Sequence, residues 1–364
     1  MAHVLLIAPA CDGADVGESW LAHQWAHLLS QRFQVTLLST YKKGHVPPSR
    51  QLPAVRVVEW AEPPLVHRAE RLNSLLQPAY VPFYARARRY VRGRLAAGDR
   101  FDVAHQVTPV AMRYPSPVAG LGIPLVVGPV GGSLESPPAF AHEEGATPWY
   151  QRLRRLDRLR LRRDPLLRAT YEDADCVVGI APYVRELLGD LRLRRFEELS
   201  DVAVHTVPPP EDRSGRSGPV RLLHVGRMVR TKGARDVIRA MALLRDLPVV
   251  LDVVGDGADR AACADLVRDL GLGDRVLIHG GPGANVSDAC AVRVPAESPE
   301  QLARDVATAV RRLVAEPDLR LRMGAAAREH VVANHLWDRR IERMTDLYEQ
   351  IAVPRTTGAG QVPG

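Results

Sequence analysis

The stretch Val225-Gly226-Arg227-Met228-Val229-Arg230-Thr231-Lys232-Gly233 carries the clearest chemistry in this sequence. A predicted strand ends in a glycine, and Arg227 and Lys232, five positions apart, flank the entry to a predicted helix. Two cations beside a helix N-terminus favour an anion, and a diphosphate above all. The same residues also read as surface cations capping an ordinary strand-to-helix turn, and both readings stay open at this level. In the first half, Gly17-Glu18-Ser19 opens a helix after the first predicted strand. Gly128-Pro129-Val130-Gly131-Gly132-Ser133 follows a later strand, and the paired Gly131 and Gly132 before Ser133 let backbone approach a ligand closely. For Gly17 alone a plain strand-to-helix turn explains the residue equally well.

Other groupings carry less. His23 and His27 share one face of a helix, but no glutamate lies between them and no third ligand is evident, so no metal site is expected. Asp173-Ala174-Asp175 mimics a metal-binding D-x-D but ends a helix before a strand, where capping explains it. Neither a G-x-S-x-G elbow nor a P-loop is present. The cysteines at 11, 176, 263 and 290 form no C-x-x-C pair, which excludes a zinc ribbon and fits a reducing cytosol.

The elements that must position these residues alternate. Predicted strands at His3–Ala8, Gln34–Ser39, Val55–Trp60, Phe101–His105, Pro124–Gly128 and Cys176–Ile180 are separated by helical stretches such as Ser19–Ser30. Residues 207–219, rich in Pro, Gly, Ser and charge, read as a linker. After it the rhythm restarts with strands at Val220–Val225, Val249–Val254 and Arg275–His279, and ends in helices at Pro299–Ala315, Leu319–Asn334 and Arg339–Ile351. Such alternation is the signature of parallel α/β sheets. A chain of 364 residues has room for two such domains at about 150 residues each. The expected division is 1–206, a linker at 207–219, 220–335, a helix crossing back at 336–352, and a disordered tail at 353–364.

The opening apolar run is short, lacks a basic lead-in and ends at Pro9, unlike a secretory signal. No apolar stretch reaches the roughly 18 residues of a membrane span, so a cytoplasmic protein is expected. The net charge is +7, with five arginines in 85–94 and eight in 151–168. These runs read either as solvated helix faces or as contacts with an anionic membrane surface. No recognised nucleic-acid motif accompanies them.

The segment from Val225 to Gly233 resembles the V-G-R-x-x-x-x-K-G stretch of glycosyltransferase family 4. Val253-Val254-Gly255-Asp256-Gly257, Gly271-Leu272-Gly273-Asp274-Arg275-Val276 and His335-Leu336-Trp337-Asp338 are similar to further family segments, and the resemblance runs from Gly17 to Tyr348. It implies a GT-B architecture, with two Rossmann-like domains facing a cleft, and sugar transfer from a nucleotide-diphosphate-sugar donor with retention. It also implies that Arg227 and Lys232 hold the diphosphate, that Gly255 and Gly257 form a cleft loop, and that no metal or other cofactor is obligatory. The basic helices, for their part, suggest a glycan or lipid-linked acceptor at the membrane, with the protein peripheral on the inner face of the plasma membrane. The resemblance places a histidine near the reacting sugar at or just after the position of His105. A structural histidine bonded to a loop carbonyl is the alternative there.

One part of the pattern is absent. The glutamate pair with which the family contacts donor sugar and ribose is not found after Lys232. Val276–Gly280 runs directly into Gly281-Pro282-Gly283-Ala284-Asn285-Val286, which resembles a segment lying well beyond that pair. The few residues left before Ala291–Val294 fall short of the dozen or so that a parallel crossover needs. A second sheet of about four strands, with interior surface exposed, is therefore expected. The readings that follow are a transferase, an impaired homologue acting as a partner or binding subunit, and, more remotely, a nucleotide-sugar epimerase.

Overall fold

Strands with apolar residues on both sides must be covered on both sides, as in the helix-flanked sheets of α/β proteins. The computed structural model describes every residue except 43, 63–78, 133–136, 141–155, 202, 211–217, 280–293 and 353–364. The chain divides into two units, 1–133 with 148–203 and 337–364, and 134–147 with 204–336.

Unit 1 runs β1 (His3–Ala10), α1 (Glu18–Leu29), β2 (Gln34–Tyr41), α2 (Pro48–Gln51), β3 (Arg56–Ala61), α3 (Tyr80–Ala96), β4 (Val103–Gln106), β5 (Leu125–Val130), α4 (Leu156–Arg163), α5 (Pro165–Asp173), β6 (Cys176–Gly179), α6 (Tyr183–Leu187) and β7 (Phe196–Glu198). Its seven strands form one parallel sheet in the order β3-β2-β1-β4-β5-β6-β7. Alternation along each strand sorts the core. Val4, Leu6, Val35, Leu37 and Val178 share one face with α1, and Leu5, Ile7, Leu38, Val127 and Val177 share the other with α3, α4 and α5. β7 was not expected from the sequence, because its Phe-Glu-Glu has no alternation to read. It is an edge strand, whose charge meets solvent, and Arg343 and Arg195 hold its Glu197.

Unit 2 contains β8 (Val220–Val225), α7 (Ala234–Ala242), β9 (Val249–Val254), α8 (Arg260–Asp269), β10 (Val276–His279), α9 (Pro299–Ala315) and α10 (Pro317–Asn334). A capping box between Ser298 and Gln301, with Pro299 in the first turn, starts α9. Its Ala303, Ala307 and Val310 pack with Ile238 and Met241 of α7 and Leu251 and Val253 of β9. Three parallel strands are described, in the order β10-β9-β8. The expected fourth, Ala291–Val294, and the junction at 280–281 fall on or beside undescribed residues.

Among the described residues, one face of this sheet carries exposed apolar side chains. Leu223 is 66% exposed and Leu277 47%, on either side of Asp252 in register. Asp252 bonds both Arg221 and His279 on that face. No residue of α10 is buried.

The chain passes into unit 2 between 203 and 204, slightly ahead of the expected linker, and returns between 336 and 337. The last helix, α11 (Trp337–Ala352), packs Trp337, Ile341, Met344, Leu347 and Tyr348 onto the α1 face of unit 1.

Candidate functional site

In unit 2 the chain leaves β8 through a loop that its own backbone locks. The Gly226 amide donates to the Val254 carbonyl at 3.0 Å, and the Met228 amide to Asp256 at 2.8 Å. The Met228 carbonyl accepts from the Asp259 amide at 2.8 Å. The turn 255–257 therefore lies directly against 226–228. A Cβ on Gly255 would strike the Gly226 carbonyl, and one on Gly257 the Met228 carbonyl. The physical need for glycine at both places is this interlock.

A 3-10 turn, Arg230–Lys232, follows, and Gly233, with φ 75° and ψ 13°, turns the chain into α7. A left-handed backbone of this kind favours glycine. Arg227 and Lys232 are exposed, and no ion pair with a described residue engages either. Arg230, three positions from Arg227, is different. Its side chain is buried and grips Asp236 of α7 with both Nη atoms, at 2.7 and 2.9 Å. Arg239 reaches the same carboxylate at 3.2 Å. Sequence reasoning passed over Arg230 and Asp236. Their six-residue spacing across a turn into a helix is the signal available.

In unit 1 the strand order reverses between β1 and β4, the switch point beside which open α/β sheets bind ligands at their carboxyl ends. The β1–α1 loop lies there and is tied down. The Gly13 amide donates to Gln51 Oε1 at 2.7 Å, and Asp12 accepts from the Ala14 amide at 2.9 Å and from Gln51 Nε2 at 3.1 Å. Gly17, with φ 69°, heads α1 without a side-chain cap, and nothing occupies the space where its Cβ would stand. Glu18 spans the switch point, accepting from the Val110 amide after β4 at 3.2 Å. Burial raises its pKa, as does nearby Asp201, while the Val110 amide and Arg113 act the other way.

Gly131 and Gly132 part company. A Cβ on Gly131 would collide with Ile180, whereas Gly132, with φ 92°, has open space there and donates its amide to the Tyr183 hydroxyl at 3.0 Å. Ser133 lies outside the described residues. Gly17 and Gly132 are thus the glycines of this group that face open space.

His105 is fully buried in β4. Its Nε2 lies 2.6 Å from the Gly128 carbonyl, which can only accept, so Nε2 carries the hydrogen. Nδ1 is left to accept from the Tyr348 hydroxyl at 2.5 Å, with Trp25 packed edge-on. With both nitrogens engaged and no solvent access, His105 bolts α11 to the sheet and presents no nitrogen to a substrate. The ring is a structural histidine, but the carbonyl it meets belongs to strand β5 and not to a loop. Burial lowers its pKa from 6.5 to about 4, with the Gly128 bond opposing.

The unfolded chain therefore takes up this proton first as pH falls. The stability due to neutral His105 is complete above pH 6.5 and is lost progressively down to pH 4, about 3 kcal/mol in all. Urea unfolding at pH 7 and pH 4.5 should show His105→Gln losing less stability on acidification than the parent. Equal losses would contradict the buried neutral ring.

The geometry bears on comparison with known proteins. Residues 211–289 match the family described as glycosyl transferases group 1, and 290–346 match the family described as glycosyl transferase-like. Together they run without a break along nearly all of the 204–336 stretch of unit 2. No curated protein matches the chain. Among solved structures, the HepE protein of Anabaena, in complex with UDP and glucose, is 13% identical with a TM-score of 0.59, covering 96% of this chain and 100% of that one. A glycosyltransferase from Rickettsia africae is also 13% identical, with a TM-score of 0.57 over 96% and 98% of the two chains. WaaG, a glycosyltransferase involved in lipopolysaccharide biosynthesis, is 17% identical with a TM-score of 0.52 over 95% and 99%. The fold is that of the GT-B glycosyltransferases.

Proposed function

We propose that this chain is a glycosyltransferase of family 4 type, moving a sugar from a nucleotide-diphosphate-sugar donor to a glycan or lipid-linked acceptor with retention. The observation that carries the reading is the pair of exposed cations, Arg227 and Lys232, on a loop held by backbone interlock and by the Arg230–Asp236 ion pair. A preorganised cationic loop stabilises charge that develops on a departing diphosphate and reorganises little as it forms. Arg227 supplies a planar fork and Lys232 a point charge, the two common ways of holding phosphate oxygens. UDP, bound by the Anabaena relative, is the first donor nucleotide to test. Isothermal titration with UDP- and GDP-sugars tests the reading. Failure of both to bind would sink it.

The acceptor is assigned to unit 1, beside Gly17, Glu18 and Gly132, and a lipid-linked acceptor agrees with the basic helices. On α3, Arg86, Arg89 and Arg92 share the exposed face, with Val81 72% exposed near its start. On α4 and α5, Arg160, Arg162 and Arg163 are exposed with Leu159 and Leu166. Arg154 and Arg155, and the side chain of Arg158, lie outside the described residues. Each arginine near an anionic surface contributes roughly 1 kcal/mol of attraction. Replacing Arg86, Arg89 and Arg92 by glutamine is therefore expected to lower co-sedimentation with anionic vesicles by at least about tenfold. Unchanged partition would remove the membrane from the reading, and with it the inner-membrane location.

The exposed apolar side chains on the sheet of unit 2 favour a second reading, an impaired homologue serving as a binding subunit. Leu223 and Leu277 are apolar groups on a face that parallel sheets normally cover. Without the glutamate pair such a homologue would hold no donor sugar, so failure of UDP- and GDP-sugars to bind would select this reading.

A further inference from the structure

Between β5 and α4 the chain sends residues 134–147 into unit 2. Pro138–Phe140 there form a 3-10 turn, with Phe140 buried to 7% exposure. The Phe140 ring centroid lies 5.2 Å from the guanidinium carbon of Arg230, within cation–π distance. Arg230 already spends both Nη atoms on Asp236. It also begins the 3-10 turn that carries Lys232, and its carbonyl accepts from the Gly233 amide at 3.2 Å.

We propose that Phe140 is a clasp on the diphosphate loop, a positioning residue for a site it does not itself touch. The ring covers the Arg230 guanidinium, and cation–π attraction strengthens when the cation is desolvated. Excluding water in turn strengthens the ion pair to Asp236 beneath it. The ion pair ties the turn to the first turn of α7, so the clasp sets the direction from which Arg227 and Lys232 project.

The inference rests on the transferase reading only for the identity of the anion, and its test separates the two. Hydrogen–deuterium exchange of the ligand-free full chain reports on peptides spanning 226–233. In Phe140→Ala these amides should exchange about tenfold faster, the loss of a desolvated cation–π contact, while β1 and α1 peptides stay unchanged. Phe140→Trp should protect as well as the parent. Phe140→Leu, which keeps apolar bulk without a π face, should resemble the alanine variant.

Inorganic pyrophosphate is the binding probe, and its Kd should rise in the Ala and Leu variants and recover in Trp. Unaltered exchange in Phe140→Ala, or a leucine variant matching the parent in both measurements, would overturn the clasp. A parent that binds no pyrophosphate would sink the donor reading, while the exchange data still decide the clasp.

Discussion

Alanine at both Arg227 and Lys232 is expected to lower sugar transfer at least about 10²- to 10³-fold, the usual consequence of removing even one preorganised stabiliser of developing charge. The loss should fall on kcat as well as on donor KM, because charge on the diphosphate grows as the sugar bond breaks. Both side chains are exposed and no described residue pairs with them. The double variant should therefore melt with the parent, within about 0.5 kcal/mol. Arg227→Lys keeps the charge and loses the fork, so it should fall between the two. Initial rates with UDP- and GDP-sugars, alongside a melting curve, make the test. A double variant transferring at the parental rate would remove the diphosphate role from this loop.

A different outcome is expected three residues from Arg227. Arg230→Ala should destabilise unit 2 by roughly 3–5 kcal/mol, because it strands Asp236, whose side chain is 1% exposed, without its main partner. Arg239 at 3.2 Å softens the loss without replacing a two-point grip. Asp236→Ala should cost a comparable amount by leaving the buried guanidinium uncompensated. Replacing both by apolar residues of similar volume should recover much of the stability while leaving the loop less well directed. Arg339→Ala, from a solvent-exposed pair with Glu342, serves as the control and should leave the midpoint unmoved. Urea unfolding reads all four. A single-partner variant as stable as the control would show that the buried pair does not hold the loop.

The contrast between Arg227 and Arg230 shows what local sequence can carry. Periodicity and turn chemistry are local, and they marked β8 at Val220–Val225 and α9 at Pro299–Ala315 as the structure has them. They also placed the loop of cations between a strand and a helix, and the group 1 family match covers that loop. Burial is not local. Spacing and resemblance single out Arg227 and Lys232 and leave Arg230 without a role; the carboxylate of Asp236 and the ring of Phe140, from another part of the chain, give it one.

The same holds for His105. Its chemistry is decided by Tyr348, 243 positions away, which takes the Nδ1 lone pair and leaves the ring no free nitrogen. The resemblance gives Gly255 and Gly257 only as a cleft loop, and what requires glycine there is the chain itself, through the carbonyls of Gly226 and Met228. Residue type and spacing determined the fold class and where the cations gather. Which cation meets solvent, which histidine nitrogen is free and which glycine faces open space were decided only in the tertiary structure. Asp236 lies only six residues from Arg230, but Phe140 over Arg230, Tyr348 on His105 and the Gly226 carbonyl at Gly255 are brought by folding from outside any local window.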